Sequence, residues 1–206
     1  MPNEPEFVTD HWWWRKGWNI GKRFYTWHFT FGEQDSLKGM VAQYQAAISR
    51  FPHYDLVPFE WLHLTTQGIG FVDSHTTDQV KEIVRKAEDK LKDQKPFAVT
   101  FSLPQLFSEA IACPIFPAEP LNKVRVAVRE SIAEVLGYVD EPESFHPHVS
   151  FAYSNAIASA QPITEVLNSV DASPVSVAIG NVDLIRLGRD RHIYEWELVN
   201  RINFTV

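Results

Sequence analysis

Histidine followed two positions later by a hydroxyl residue is the pattern in this chain best suited to chemistry. A neutral imidazole accepts a proton near neutral pH and an imidazolium donates one. A hydroxyl beside it can donate to an anionic oxygen. Four such pairs occur: His28 with Thr30, His63 with Thr65, His75 with Thr77, and His148 with Ser150. With 8 His among 206 residues, composition alone predicts about one. Spacing therefore decides nothing, and the flanking sequence must sort the pairs.

Residues i and i+2 of a strand share a face. In "WLHLTTQ" the imidazole of His63 and the hydroxyl of Thr65 project together, with Leu62 and Leu64 opposite. In "FHPHVSFAY" His148 and Ser150 project together, with Val149 and Phe151 opposite, and His146 shares the polar face. His75 lies in "VDSHTTDQ", a turn into a helix that Thr76 caps, and is read as a surface residue. His28 stands on the polar face Thr26, His28, Thr30 of "RFYTWHFTF". A satisfied or solvent-facing histidine is the favoured reading there, with a place in the same cleft as the alternative.

A cleft holding two such pairs suits phosphoester chemistry without a metal. One imidazole takes a proton from the attacking water or hydroxyl, and the other gives one to the leaving alkoxide. The hydroxyls donate to the non-bridging oxygens, where charge accumulates. Two histidines in opposite protonation states predict a bell-shaped pH–rate profile.

"FHPHVSFAY" resembles the second motif of the two-histidine (2H) phosphoesterases, which include 2′-5′ RNA ligases and cyclic nucleotide phosphodiesterases. "LVPFEWLHLTTQGIGF" looks like their first motif, with a preceding proline and a following glycine. The order of elements is compatible over residues 23–204. The resemblance implies His63 and His148 as the catalytic pair and Thr65 and Ser150 as phosphate-binding residues. His28, His146 and Tyr153 are then candidates for lining the cleft. It implies an α+β, bilobal fold with two antiparallel-rich sheets facing a central cleft and helices outside. It also implies a phosphodiesterase acting on 2′,3′-cyclic phosphate or 2′-5′ linked nucleotide or RNA ends, with no metal and no cofactor. The alternatives are a ligase joining RNA ends, or a non-catalytic nucleotide-binding module of the same fold. Two positions depart from the family: Thr66 stands where leucine commonly follows the first motif, and Tyr153 where many bacterial members carry a basic residue.

The elements that must position these residues follow from periodicity. Strands are expected at 23–31, 59–67, 96–103 and 108–116, through the second motif, and as "PVSVAIGNVDLIRL" and "HIYEWELVNRINF". Helices are expected from Asp35, taken as the N-cap, from Thr76, where Gln79 completes a capping box, from about Pro120 to Gly137, and over "ITEVLNSV". Residues 1–22 read as an irregular Trp-rich arm whose Trp12, Trp13, Trp14 and Trp18 pack on the body. Residues 23–206 read as a single bilobal domain.

A net charge of −7 and the absence of a long basic run argue against an extended nucleic-acid surface. The densest basic stretch is "RLGRDRH", 186–192, so a small nucleotide or an RNA end is the expected partner. Nothing has the length of a membrane span or the form of a secretion signal. Cys113, the single cysteine, is read as a buried apolar residue. A cytoplasmic monomer is expected. A metal site drawing on His63, His146 and His148 is disfavoured, because no HExxH pattern or cysteine cluster is present.

Overall fold

A computed structural model describes residues 5–140 and 144–205. Residues 1–4 of the arm, Glu143 just before the second motif, and Val206 lie outside the described residues. In chain order the elements are β1 (Phe7–Val8), β2 (Phe24–Thr30), α1 (Asp35–Ile48), β3 (Tyr54–Leu56), β4 (His63–Phe71), α2 (Thr77–Leu91), β5 (Phe97–Phe101), β6 (Gln105–Leu106), β7 (Ala110–Phe116), α3 (Ala118–Leu136), β8 (His148–Ser154), β9 (Ala158–Ser159), α4 (Gln161–Ser169), β10 (Val175–Ile179), β11 (Asn181–Gly188) and β12 (Glu195–Asn203).

Two antiparallel sheets carry the molecule. One, here lobe 1, has the order β12-β11-β2-β4; the other, lobe 2, has β10-β5-β7-β8-β3, with β6 paired to β7. The helices cross between them. Helix α1, although it joins β2 toward β4, packs against β10, β8 and α4 of lobe 2. Helix α3, although it leads into β8, packs with α2 against β4 of lobe 1. Each helix buries its apolar stripe on the other sheet. Leu37, Met40, Val41, Tyr44 and Ile48 are buried on α1, and Leu121, Val124, Val128 and Ile132 on α3.

Several expected boundaries move. Helix α1 is capped by Gln34, without a side-chain hydrogen bond, and Asp35 is its first residue. The capping box of Thr76 and Gln79 forms as expected, and Gly137 ends α3 at φ 81. The arm is irregular except at β1, where Phe7 and Val8 pair with β9. Residues 59–61 are a 3-10 turn after Pro58, not strand, so β4 begins at His63. The segment read as one strand from 174 to 187 breaks at Gly180 into β10 and β11, which belong to different sheets. Cys113 is buried as expected, and burial pushes its thiol up to about 12. No helix among the described residues is long and apolar enough to cross a membrane.

Candidate active site

The two motifs begin their strands in the same way. The 3-10 turn at 59–61 aims the Trp61 carbonyl at His63, whose Nδ1 donates to it at 2.8 Å. In the second motif His148 Nδ1 donates to the carbonyl of His146, also at 2.8 Å. Each imidazole is thus pinned by the carbonyl two residues earlier. That bond fixes the proton on Nδ1 and leaves Nε2 to face outward. The carbonyl of Pro147, between the histidines, accepts from Ile115 N at 3.0 Å, tying this turn to β7. The apolar residues between the polar ones, Leu62, Leu64, Val149 and Phe151, are buried as the strand period requires.

Around these shared anchors the surroundings differ. His63 is buried, and its pKa falls to about 4. Burial is the main cause; the Trp61 carbonyl opposes it, and a charge on His148 pushes further down. The strands that carry the two rings, β4 and β8, are themselves in contact. His148 is exposed, with Phe107 tilted against it at 5.9 Å. The hydroxyls are reversed: Thr65 is exposed and Ser150 is buried.

His28 belongs to this site. Its strand pairs with β4 so that His28 stands opposite Thr65 and Thr30 opposite His63, with Thr66 as an extra residue in the ladder. The bulge keeps the polar faces of β2 and β4 in step. The His28 ring stacks on His63 at 4.5 Å and 2°. Its Nε2 lies 3.2 Å from Thr65 Oγ1, and its buried Nδ1 has no partner among the described residues. Burial, with His63 beside it, holds His28 well below the ordinary histidine range. The neutral tautomer that suits this setting carries its proton on Nε2 and donates to Thr65. That leaves a lone pair, rather than an N–H, without a partner at Nδ1. The next residue along this row is Asp183, held by Thr30 at 2.8 Å and by Arg201 through two bonds of 2.7 and 2.8 Å.

Tyr153 reaches the site through another irregularity. Phe151 is the extra residue between the pairs Ile111–Ala152 and Ala112–Ser150, which returns Tyr153 to the face of Ser150. The Ser150 and Tyr153 side chains therefore lie on one face. Tyr153 is buried, stacked on His11 at 4.2 Å and edge-on to Tyr194 at 5.4 Å. Tyr194, from the turn before β12, also meets the His63 ring at 5.9 Å and so spans from one motif to the other. His146 is exposed, and its contribution is the carbonyl that holds His148. His75 is half-buried rather than on the surface, lying over Gly70, whose φ of 152 and lack of a Cβ make room for its ring. Among the described residues no group of three or more His, Cys, Asp or Glu is arranged to hold a metal.

Several participants escape a reading of motifs. Trp196 stands edge-on to both His63 and His28, at 5.1 and 5.8 Å. Arg125 of α3 is buried, donates from Nε to the carbonyl of the bulge residue Thr66 at 3.1 Å, and lies 5.0 Å from the Phe145 ring. It thereby joins the first motif to the approach to the second. An arginine beside the apolar stripe Leu121, Val124, Val128 was the signal, since a buried guanidinium must find acceptors. His11, from the arm, joins Glu109 at 3.1 Å and the Tyr194 hydroxyl at 2.8 Å. Burial and then the nearby Arg15 bring its pKa to about 4, against the pull of Glu109.

Two sheets meeting at a pair of contacting His-x-Thr/Ser strands, with imidazoles matched in anchoring, define a two-histidine phosphoesterase fold. A model of the 2′-5′ RNA ligase superfamily matches residues 33–191. The chain belongs to that superfamily. Among solved structures, E. coli LigT in apo form is similar with a TM-score of 0.63 and 16% identity, covering 90% of this chain and 99% of that one. The protein TT0787 of Thermus thermophilus gives 0.64 and 16%, covering 89% and 97%. The MHV ns2 PDE domain gives 0.56 and 12%, covering 81% and 100%. No curated protein matches.

Proposed function

We propose that this protein is a metal-independent phosphodiesterase acting on 2′,3′-cyclic phosphate or 2′-5′ linked ends of nucleotides or RNA, with residues 23–206 working as one bilobal unit. The observation that carries the reading is the matched pair of imidazoles, each holding Nδ1–H against a carbonyl and presenting Nε2, on strands that also present Thr65 and Ser150. E. coli LigT has been crystallised with 3′-AMP, at 18% identity and a TM-score of 0.64, which supports a small nucleotide as the ligand class.

In the hydrolytic direction His63 is the base. Its burial keeps it neutral in the empty site. A phosphodiester anion between the rings raises its affinity for a proton at the moment it must accept one. Water attacks phosphorus, its proton passes to His63 Nε2, and the new P–O bond forms. The bond from phosphorus to the ribose oxygen breaks, and His148 Nε2–H protonates that oxygen. Thr65 and Ser150 donate to the non-bridging oxygens. With Nε2–H of His28 donating to Thr65 Oγ1, the threonine's own proton stays available for phosphate. The test is turnover of 2′,3′-cyclic nucleotides in EDTA by the native protein, His63→Ala and His148→Ala. Native activity that survives chelation and is lost in both variants supports the mechanism. Full activity in either variant, or complete loss on chelation, overturns it. Assaying RNA half-molecules in the same reactions separates joining from hydrolysis.

A further inference from the structure

The arm holds a set of residues that the reaction above does not use. Trp12 is buried and Trp18 half-buried, as packing requires, but Trp13 and Trp14 are not. They are 52% and 49% exposed, too much for indoles whose task is to fill a core. Both precede Arg15, whose guanidinium lies 5.5 Å from the centre of the Trp13 ring.

Their position is fixed from both lobes. Glu109, just before β7, accepts from Trp13 Nε1 at 3.1 Å and from Arg15 at 2.8 Å. Thr9 N donates to Ser108 O at 2.7 Å and His11 N to Ser154 O at 2.8 Å. From lobe 1, Arg189 clamps the carbonyl of His11 at 2.9 Å. The same β6–β7 hairpin that receives Trp13 carries Phe107, 37% exposed and lying against the His148 ring. The exposed rings of Phe107, beside the reactive histidine, and of Trp13, bonded to Glu109, are thus tied to one hairpin at positions two residues apart, and the exposed Trp14 follows in the arm.

Charge favours an anion here. Arg15 faces Glu109, and Arg189 of the basic stretch 186–192 lies buried beneath them over the Trp12 ring, so cations outnumber carboxylates at this spot in a chain of −7. Among the described residues neither Lys16 nor Arg189 is ion-paired with a carboxylate. The Nε of Arg15 is shielded and has no acceptor among the described residues. Aromatic faces alternating with cations suit a single strand, whose bases stack while its phosphates meet guanidinium groups.

We propose that Phe107, Trp13, Trp14 and Arg15 form a subsite for the nucleotides adjoining the reactive phosphate, so that the protein takes the end of an oligonucleotide in preference to a mononucleotide. This rests on the phosphodiesterase reading for its place in a reaction, but its test does not need turnover. Binding of a 3′-phosphorylated hexauridylate and of uridine 3′-phosphate is measured by quenching of tryptophan fluorescence, for the native chain, the double variant Trp13→Ala/Trp14→Ala, Trp13→Phe and Arg15→Gln. The hexamer is expected to bind the native chain at least about tenfold more tightly than the mononucleotide, the scale of one stacked base. The double variant loses that advantage and Trp13→Phe keeps most of it. Arg15→Gln lowers the salt dependence of hexamer binding by about one phosphate contact. Equal affinity for hexamer and mononucleotide in the native chain, or an undiminished advantage in the double variant, overturns the proposal; either result would leave a protein partner as the occupant of this surface. If the advantage is present and tryptophan-dependent while cyclic phosphates are not turned over, the subsite stands and the catalytic reading fails.

Discussion

The two half-sites use the same three-residue pattern and bury opposite members of it. In the first, the histidine is inside and the hydroxyl outside; in the second, the histidine is outside and the hydroxyl inside. The difference comes from what each strand faces. His63 is walled by His28, Tyr194 and Trp196, whereas among the described residues His148 has the single partly exposed ring of Phe107. Identical residues thus sit in different surroundings, and at His63 burial lowers the affinity for a proton.

The strongest way to break the comparison is to remove each histidine and change the leaving group. Either alanine variant is expected to lose about 10³-fold or more on a 2′,3′-cyclic nucleotide, the range of general acid–base catalysis. On a phosphodiester with a p-nitrophenolate leaving group, which needs no proton, His148→Ala recovers most of its loss and His63→Ala does not. The reverse recovery would exchange the two roles.

Acid stability probes the burial of His63 directly. Its folded pKa of about 4 lies below the unfolded value of 6.5. Between those values the unfolded chain binds more protons, so stability is complete above pH 6.5 and is lost as pH falls toward 4. The loss from His63 is at most roughly 3 kcal/mol. His63→Gln should flatten urea-derived stability over this window; an unchanged slope would show that the ring is not held neutral.

The hydroxyls give the next effect. Thr65→Val is expected to cost about 10²-fold in kcat, as for one lost transition-state donor. Ser150→Ala, at a buried hydroxyl on the same face as Tyr153, should cost nearer tenfold (a smaller share of the same kind of donation) and be less than additive with Tyr153→Phe. Equal losses at both hydroxyls would show that the inversion of burial has no functional weight. The smallest effect is expected from Arg125→Met. It leaves the Thr66 carbonyl short of a donor and lowers stability by about 1–3 kcal/mol, with a modest fall in activity read alongside it.

The sequence makes the chemistry of each half-site legible because it is local: a strand's period of two is enough to pair His63 with Thr65 and His148 with Ser150. The helical stripes are legible for the same reason. What could not be read depends on ladder register. Whether His28 meets Thr65 or misses it turns on one extra residue, Thr66, and whether Tyr153 joins Ser150 turns on Phe151. The break at Gly180 is equally hidden, since both strands beside it are apolar and only the assembled sheets separate them. The packing expected of Trp12 and Trp18 occurs, while Trp13 and Trp14 depart from it because Glu109 and Arg189, 96 and 176 residues away, hold that stretch at the surface.

The order of strands in lobe 1 also sets a timetable for folding. Strand β2 lies between β4 and β11, and β11 lies between β2 and β12. A chain emerging from the ribosome can pair β2 with β4 early, but the sheet stays two strands wide until residues beyond 181 have been made. Helix α3, which covers this sheet, arrives in between and has only half a platform. Contacts of such long sequence separation make closure slow. His63 is walled in only when the last strands and their Tyr194 and Trp196 dock, so proton affinity at His63 is itself a reporter of complete folding.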